Sequence, residues 1–401
     1  MTDLPAPEFV ICLLLFHSVV VQCALKGHLK PLGSHQPADG DILQIPSLTA
    51  SDFYSKFVKH NQPVILRGLL NSSKPLDLWN DDYLHTKFGD EVVNVDFTKY
   101  ENRLSSGDDL QLHEFLETYE ASSDMYLITT LPKSMQKEFP LPQCLNSALF
   151  KNRLQDFVLW FSSGGTNSLL HYDTVENLYC QLFGSKHWFM VDPWIAKKHI
   201  IEDHPEGQYT SVNVSMVDME KYPGLRNMPW WSARSYPGDC IYVPLNWWHQ
   251  VHSEKSRNMA VNIWWAPLFH DTFSYQLRCE DESKSIYLSS LNFTHGEWIR
   301  WSLSIFLQQN GGKADYQLLH ESIVSEHTGE NLIRNEDFQL LDSNSDGFLD
   351  LKELSMSPAE LVHEAVQFVG IGAMNINGLS KAKLASESNS RSMYQHLEKE
   401  L

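Results

Sequence analysis

Apolar and polar positions divide the chain into stretches of different period. Val10 to Ala24 is almost unbroken apolar sequence, and residues 25–45 show no period. Thr49 to Val58 predicts a capped amphipathic helix with Phe53 and Phe57 on one face. Pro63 to Gly68 reads as a short strand, Trp79 to Phe88 as a helix ended by Gly89, and Glu91 to Phe97 alternates like a strand. From about Met125 to Trp265 the chain becomes β-rich and aromatic. The strand candidates are Met125–Thr130, Phe157–Phe161, Asn177–Leu182, His187–Val191, Cys240–Val243 and Met259–Trp265, parted by Gly, Pro and Asp turns. Short strands at this spacing predict a sandwich or jelly roll. After Pro267 the pattern turns helical, as in Gly296 to Gln309. The expected plan is a signal peptide over 1–24, a leader over 25–45, a β domain over 46–270, a helical linker over 271–330 and a C-terminal domain over 331–401.

Composition narrows the class. The chain is 42% hydrophobic and 12% aromatic, ample for a core, which excludes global disorder. The net charge is −19 with no Lys/Arg run, so the footprint of a nucleic-acid binder is missing. Val10 to Ala24 has signal-peptide length and ends in small residues. Met1 to Phe9 holds Asp3 and Glu8 and no basic side chain, which runs against that reading. The alternatives are an uncleaved anchor or an N-terminal core element. No other segment is long and apolar enough to span a membrane.

Asn71, Asn213 and Asn292 head glycosylation sequons. The last residues, Glu398-Lys-Glu-Leu401, resemble a retention signal with its charges permuted, against the plainer reading of a charged helix end. Together these features point to the secretory pathway, in the endoplasmic reticulum lumen or secreted. Outside the presumed signal stand Cys144, Cys180, Cys240 and Cys279, without CxxC spacing, so a zinc site is not expected. Up to two disulfides are open to them, and their pairing is not readable.

Candidate chemistry lies in the β region. His171-Tyr-Asp173 follows a Gly- and Ser-rich loop, and two side chains at i and i+2 share one side of a strand. Pro237-Gly-Asp leads through a β run to Trp247-Trp248-His249, about 75 residues later. Two imidazoles and one carboxylate on one face of Fe(II) leave positions open for a 2-oxo acid and dioxygen. His252 competes for the third ligand position. Cys180 reads as a packing residue rather than a ligand.

The stretch Trp160 to Asp173, continued by Asn177, Gln181, Gly184 and Lys186 and ending in Phe189-Met-Val-Asp-Pro193, resembles the JmjC or cupin-like family of iron and 2-oxoglutarate oxygenases. In style it resembles the small protein hydroxylases such as factor inhibiting HIF. The resemblance covers roughly residues 45–270. It implies a double-stranded β-helix, with His171, Asp173 and His249 as iron ligands, and it favours His249 over His252 because His249 directly follows the aromatic pair. It implies that Lys186, fifteen residues after His171, binds the distal carboxylate of 2-oxoglutarate, helped by the hydroxyls of Ser168 and Tyr126. It also places Asn177 and Asn262 near the cosubstrate. The plainer readings are an exposed strand lysine, and ordinary structural hydrogen bonding for the asparagines and Tyr126. The implied activity is hydroxylation of a protein or peptide side chain with dioxygen, 2-oxoglutarate going to succinate and carbon dioxide. Lysine demethylation is an alternative, and related hydroxylases often form homodimers through helices after the barrel.

A second motif stands apart. Asp342, Asn344, Asp346, the Phe348 carbonyl, Asp350 and Glu353 fit the ligand positions of a twelve-residue EF-hand calcium loop, with Gly347 at the turn. Ala373 to Leu379 is a candidate degenerate partner loop. The expected role is structural, without direct coupling to the iron ligands. Two further readings remain: a calcium-binding scaffold of JmjC fold without catalysis, and a cupin enzyme using another metal without 2-oxoglutarate.

Overall fold

The near-continuous apolar runs become central strands covered on both faces. The computed structural model describes residues 27–99, 107–122, 124–205, 207–267, 279–291, 296–325, 330–366 and 374–376. The signal segment, Asn292, part of the Ala373 to Leu379 loop and the C-terminal Glu398 to Leu401 lie outside them.

Two sheets face each other as a jelly-roll sandwich. The larger has nine strands in the order Gln44–Ile45, Val64–Leu66, Cys240–Val243, Glu176–Phe183, Asn258–Trp265, Leu154–Ser162, Tyr126–Thr130, Val92–Asp96 and Asp108–Gln111. The smaller has four: Trp248–Ser253, Lys186–Val191, Trp231–Ser235 and Gly40–Asp41. Residues 28–45, which show no period, thus supply edge strands to both sheets, each paired parallel to its neighbour. Their two-residue length is too short for a period to show.

Side-chain alternation splits the core into layers. Ile65, Tyr179, Trp188, Met190, Ile241 and Trp247 fill the space between the sheets. The outer face of the large sheet packs on helices through Phe53, Phe115, Phe150, Phe157, Phe161 and Trp265. Helix Ala50–Lys56 is capped by Thr49, whose hydroxyl accepts from Asp52 N at 3.2 Å, and it buries Phe53 edge-on against Tyr242 at 5.1 Å. The predicted helix Trp79 to Phe88 is two helices. Asn80 is extended and caps Asp81–Phe88 by accepting from Tyr83 N, so Trp79 ends the preceding turn of helix Lys74–Leu78. The outer face of the small sheet is covered by the excursion after Ile200, through Val212, Leu225 and Trp230 on Phe189 and Val191.

Cys180 and Cys240 stand opposite each other on adjacent antiparallel strands and form a disulfide. Cys180 is therefore a bridge partner rather than a simple packing residue. Cys144 is a buried free thiol and Cys279 a half-buried one.

The helices after residue 296 have their own core of Ile299, Leu303, Phe306, Leu319, Leu341 and Leu349, and that core includes Val175 and Ala266 of the β region, with Trp264 packed against it. Gly296 lets helix Gly296–Gln309 approach Ala359, since an added Cβ there would lie 1.7 Å from Ala359 O. Buried Arg300 donates to Ser355 O and Ser357 O at 2.8 and 2.7 Å, tying this helix to the end of helix Leu351–Met356. Strand Phe348–Asp350 of the acidic loop pairs with Lys313–Asp315, Ala314 opposite Leu349. The expected partner after residue 373 is thereby corrected: the paired loop precedes the acidic one, and Met374–Ile376 pairs instead with Ile323–Ser325. Among the described residues no helix is long and apolar enough to cross a membrane.

Candidate metal centre

His249 lies on strand Trp248–Ser253 of the small sheet. His171 and Asp173 lie in the loop before strand Glu176–Phe183, not on a strand as the i, i+2 spacing implies. A two-residue bridge brings them to the same place: His171 N donates to His249 O at 3.0 Å, and His249 N to His171 O at 2.7 Å. The two rings then stand 4.2 Å apart, centroid to centroid. His249 Nε2 lies 3.8 Å from Asp173 Oδ2. Among the described residues these three form the only group of His, Cys, Asp or Glu whose ligand atoms all lie within 4.8 Å of one another.

The ring nitrogens facing away are occupied. His171 Nδ1 donates to Leu169 O at 2.8 Å, and His249 Nδ1 to Trp247 O at 2.9 Å. That fixes the tautomer and leaves each Nε2 as the ligand atom. Two neutral imidazoles and a carboxylate suit an iron(II) ion with open positions. His252 is outside the group. Three positions along the strand from His249 it turns to the other face, and its Nδ1 meets Asn167 Oδ1 at 2.9 Å.

The turn delivering His249 is held by residues that motif reading missed. Asn246, left-handed at φ 64°, donates its N–H to Asp173 O at 3.0 Å. Asn61 Nδ2 donates to Leu245 O at 3.3 Å, and Trp247 Nε1 to Asn61 O at 2.9 Å. Glu176 Oε2 accepts from Leu245 N at 3.1 Å and from the Tyr242 hydroxyl at 2.7 Å. Burial pushes the Glu176 carboxyl up to about 7, against those two hydrogen bonds. The one sequence signal for it is an acidic residue opening a strand that carries no other charge.

Beside the three ligands a cavity of about 600 Å³, counting its open mouth, runs between the sheets. Tyr126, Trp160, Ser168, Asn177, Tyr179, Lys186, Asn262 and Trp264 line it. All five sequence-derived cosubstrate residues are thus in one place. Lys186 is 6% exposed and has no ion-pair or hydrogen-bond partner among the described residues. Its Nζ lies 5.0 Å from the Tyr179 ring centre and 5.8 Å from that of Trp160. Burial drops its pKa to about 7. An exposed strand lysine is therefore excluded. Asn177 Oδ1, Asn262 Oδ1 and the indole Nε1 of Trp160 and Trp264 are buried without partners. A carboxylate next to Lys186 and further polar atoms next to the asparagines would satisfy this set. The residues therefore fit 2-oxoglutarate. Ser168 lines the cavity, but its hydroxyl donates to Leu169 O and accepts from Val251 N, so it is already engaged. Tyr209, also unforeseen, comes from the excursion after Ile200 and stacks on His171 at 5.3 Å.

The carboxylates of the acidic loop 342–353 do not form a second group of convergent ligand atoms among the described residues. They meet backbone amides: Asp342 accepts from Asp346 N and Gly347 N, and Glu353 from Asn344 N and Asp350 N. Asn71 and Asn213 are exposed.

Residues 50–271 match the cupin-like domain family. Jumonji C domain-containing protein 5 of Drosophila melanogaster is 26% identical over 253 residues, 59% of this chain and 62% of that protein. Lysine-specific demethylase 8 of Danio rerio is 26% identical over 249 residues, 56% of this chain and 57% of its own length. tRNA wybutosine-synthesizing protein 4 of Neurospora crassa is 27% identical over 271 residues, 59% of this chain and 22% of that protein. The chain thus spans less than two thirds of each. A match over more than half of its length, laid on a two-sheet fold and a His-Asp-His cluster of the same kind, makes the chain a member of the cupin-like JmjC family, whose proteins are typically 2-oxoglutarate oxygenases.

Proposed function

We propose that the chain is an Fe(II)- and 2-oxoglutarate-dependent dioxygenase that hydroxylates a side chain of a secretory-pathway protein. One observation carries the reading: a buried lysine amine without a counter-ion, Lys186, in the same cavity as His171, Asp173 and His249. A buried charge left unpaired is costly, and a dicarboxylate removes that cost. The iron and the 2-oxo acid together would supply the oxidation of a C–H bond. The protein's part is to bind and orient. His171, Asp173 and His249 hold the metal on one face. Lys186 would anchor the far carboxylate, Asn177 and Asn262 would meet further polar atoms of the cosubstrate, and the sheets would exclude water. A scaffold without catalysis leaves both the unpaired Lys186 and the preset tautomers unexplained.

The secretory part rests on the Cys180–Cys240 bridge, which persists in oxidising compartments, and on the exposed sequons at Asn71 and Asn213. The proposal includes one calcium ion held by Asp342, Asn344, Asp346, Phe348 O, Asp350 and Glu353, which rests on the sequence motif and is supported by the strand pairing of Phe348–Asp350 with Lys313–Asp315. The test is succinate release with candidate lumenal peptides under Fe(II), followed by mass spectrometry for one added oxygen. Release of formaldehyde with loss of a methyl group instead would favour the demethylase reading, which the name of the Danio rerio relative raises.

A further inference from the structure

We propose that Glu176 is a positioning residue for the metal centre, its carboxylate joining the segment that carries Asp173 to the turn that delivers His249. This inference rests on the metal-site reading above. Asp173 and His249 come from chain segments about 75 residues apart, so their separation must be set by whatever ties those segments together. Beyond the His171–His249 backbone bridge, two further ties among the described residues join the Asp173 side to this turn. Asn246 N–H donates to Asp173 O at 3.0 Å, and Glu176 Oε2 accepts from Leu245 N–H at 3.1 Å. The second tie is braced: the same oxygen accepts from the Tyr242 hydroxyl at 2.7 Å, and Tyr242 is stacked on Trp265 at 5.9 Å. Glu176 is 5% exposed and makes no salt bridge among the described residues. A carboxylate buried without a cation costs stability that an apolar strand residue would not. Its two donors come from the strand and turn leading to His249, so the tie acts on ligand geometry.

The test uses Co(II) as a spectroscopic probe on the full chain, with metal-free thermal melts in parallel. Glu176→Ala is expected to weaken Co(II) binding roughly 10- to 100-fold, the usual loss when a group orienting a ligand is removed. Glu176→Gln, which keeps an acceptor, is expected to restore most of that affinity and the wild-type visible spectrum. Tyr242→Phe is expected to give a smaller loss, and no further loss when added to Glu176→Ala. Should Glu176→Ala fail to fold, Tyr242→Phe carries the test alone, and unchanged Co(II) affinity in it overturns the inference. Lowered melting temperatures with wild-type affinity and spectrum in the Glu176 variants would also overturn it, showing a merely structural role. Failure of the wild-type chain to bind Co(II) would remove the metal reading itself, a result distinct from either.

Discussion

Lys186 ties the residue chemistry to pH. In the unfolded chain a lysine keeps its proton to about pH 10.4. In the ligand-free fold burial drops that value to about 7. Between those limits the unfolded chain binds a proton that the fold does not, so stability rises with pH across that window. A carboxylate beside Lys186 restores the charge. Binding of 2-oxoglutarate above pH 7 is therefore expected to take up a proton, with affinity falling by up to about tenfold per pH unit. Calorimetry at pH 8 in buffers of different ionisation heat measures this. Lys186→Met should bind weakly and without proton uptake, and equal heats for the wild type in all buffers would contradict the account. At the metal, His171→Ala, Asp173→Ala and His249→Ala are each expected to abolish Fe(II)-dependent turnover while remaining folded, and His252→Ala to retain it. Activity in His249→Ala and its loss in His252→Ala would reverse the ligand choice.

Among the elements, what the sequence made legible was local. Strand Cys240–Val243 and helix Gly296–Gln309 follow from period and turn residues alone. The ligand set and the cavity residues followed from the resemblance to the JmjC family, whose motif residues sit at fixed offsets within a few strands. What stayed hidden depends on contacts between distant segments: the edge strands before Ile45, the brace of Asn61 and Glu176 on the His249 turn, and Tyr209 over His171. The disulfide belongs with these, since strand register alone brings Cys180 opposite Cys240. Its loop spans a separation of 60 residues. Cys180→Ala with Cys240→Ala is expected to lower unfolding stability by about 2–5 kcal/mol. Denaturant unfolding with and without reductant checks this. Equal stability of the double variant and the oxidised wild type would count against a structural bridge.

For the whole molecule, the C-terminal helices share a core with the wall of the cavity. Val175 lies two residues after Asp173, and Trp264 both lines the cavity and packs on the helical core. The sequence suggested two uncoupled regions because the strands carrying the iron ligands close before Pro267, and packing brings the regions together. On the proposal that the loop holds calcium, removing the ion is expected to leave Asp342, Asp346, Asp350 and Glu353 without a counter-ion and so to lower the melting temperature. Glu353→Gln should bind calcium more weakly and melt earlier. Through Trp264 the same loss is expected to weaken 2-oxoglutarate binding about fivefold or more. An unchanged Kd after calcium removal, with the melting temperature lowered, would show that the shared core does not transmit the change.

The most direct measurement is succinate formation from 2-oxoglutarate by the purified chain with Fe(II) and dioxygen, beside Asp173→Ala and Lys186→Met. The account predicts Fe(II)-dependent succinate from the wild type, background levels from Asp173→Ala, and a much raised 2-oxoglutarate requirement in Lys186→Met. Wild-type protein that binds Fe(II) yet forms no more succinate than Asp173→Ala, with or without peptides, would contradict it.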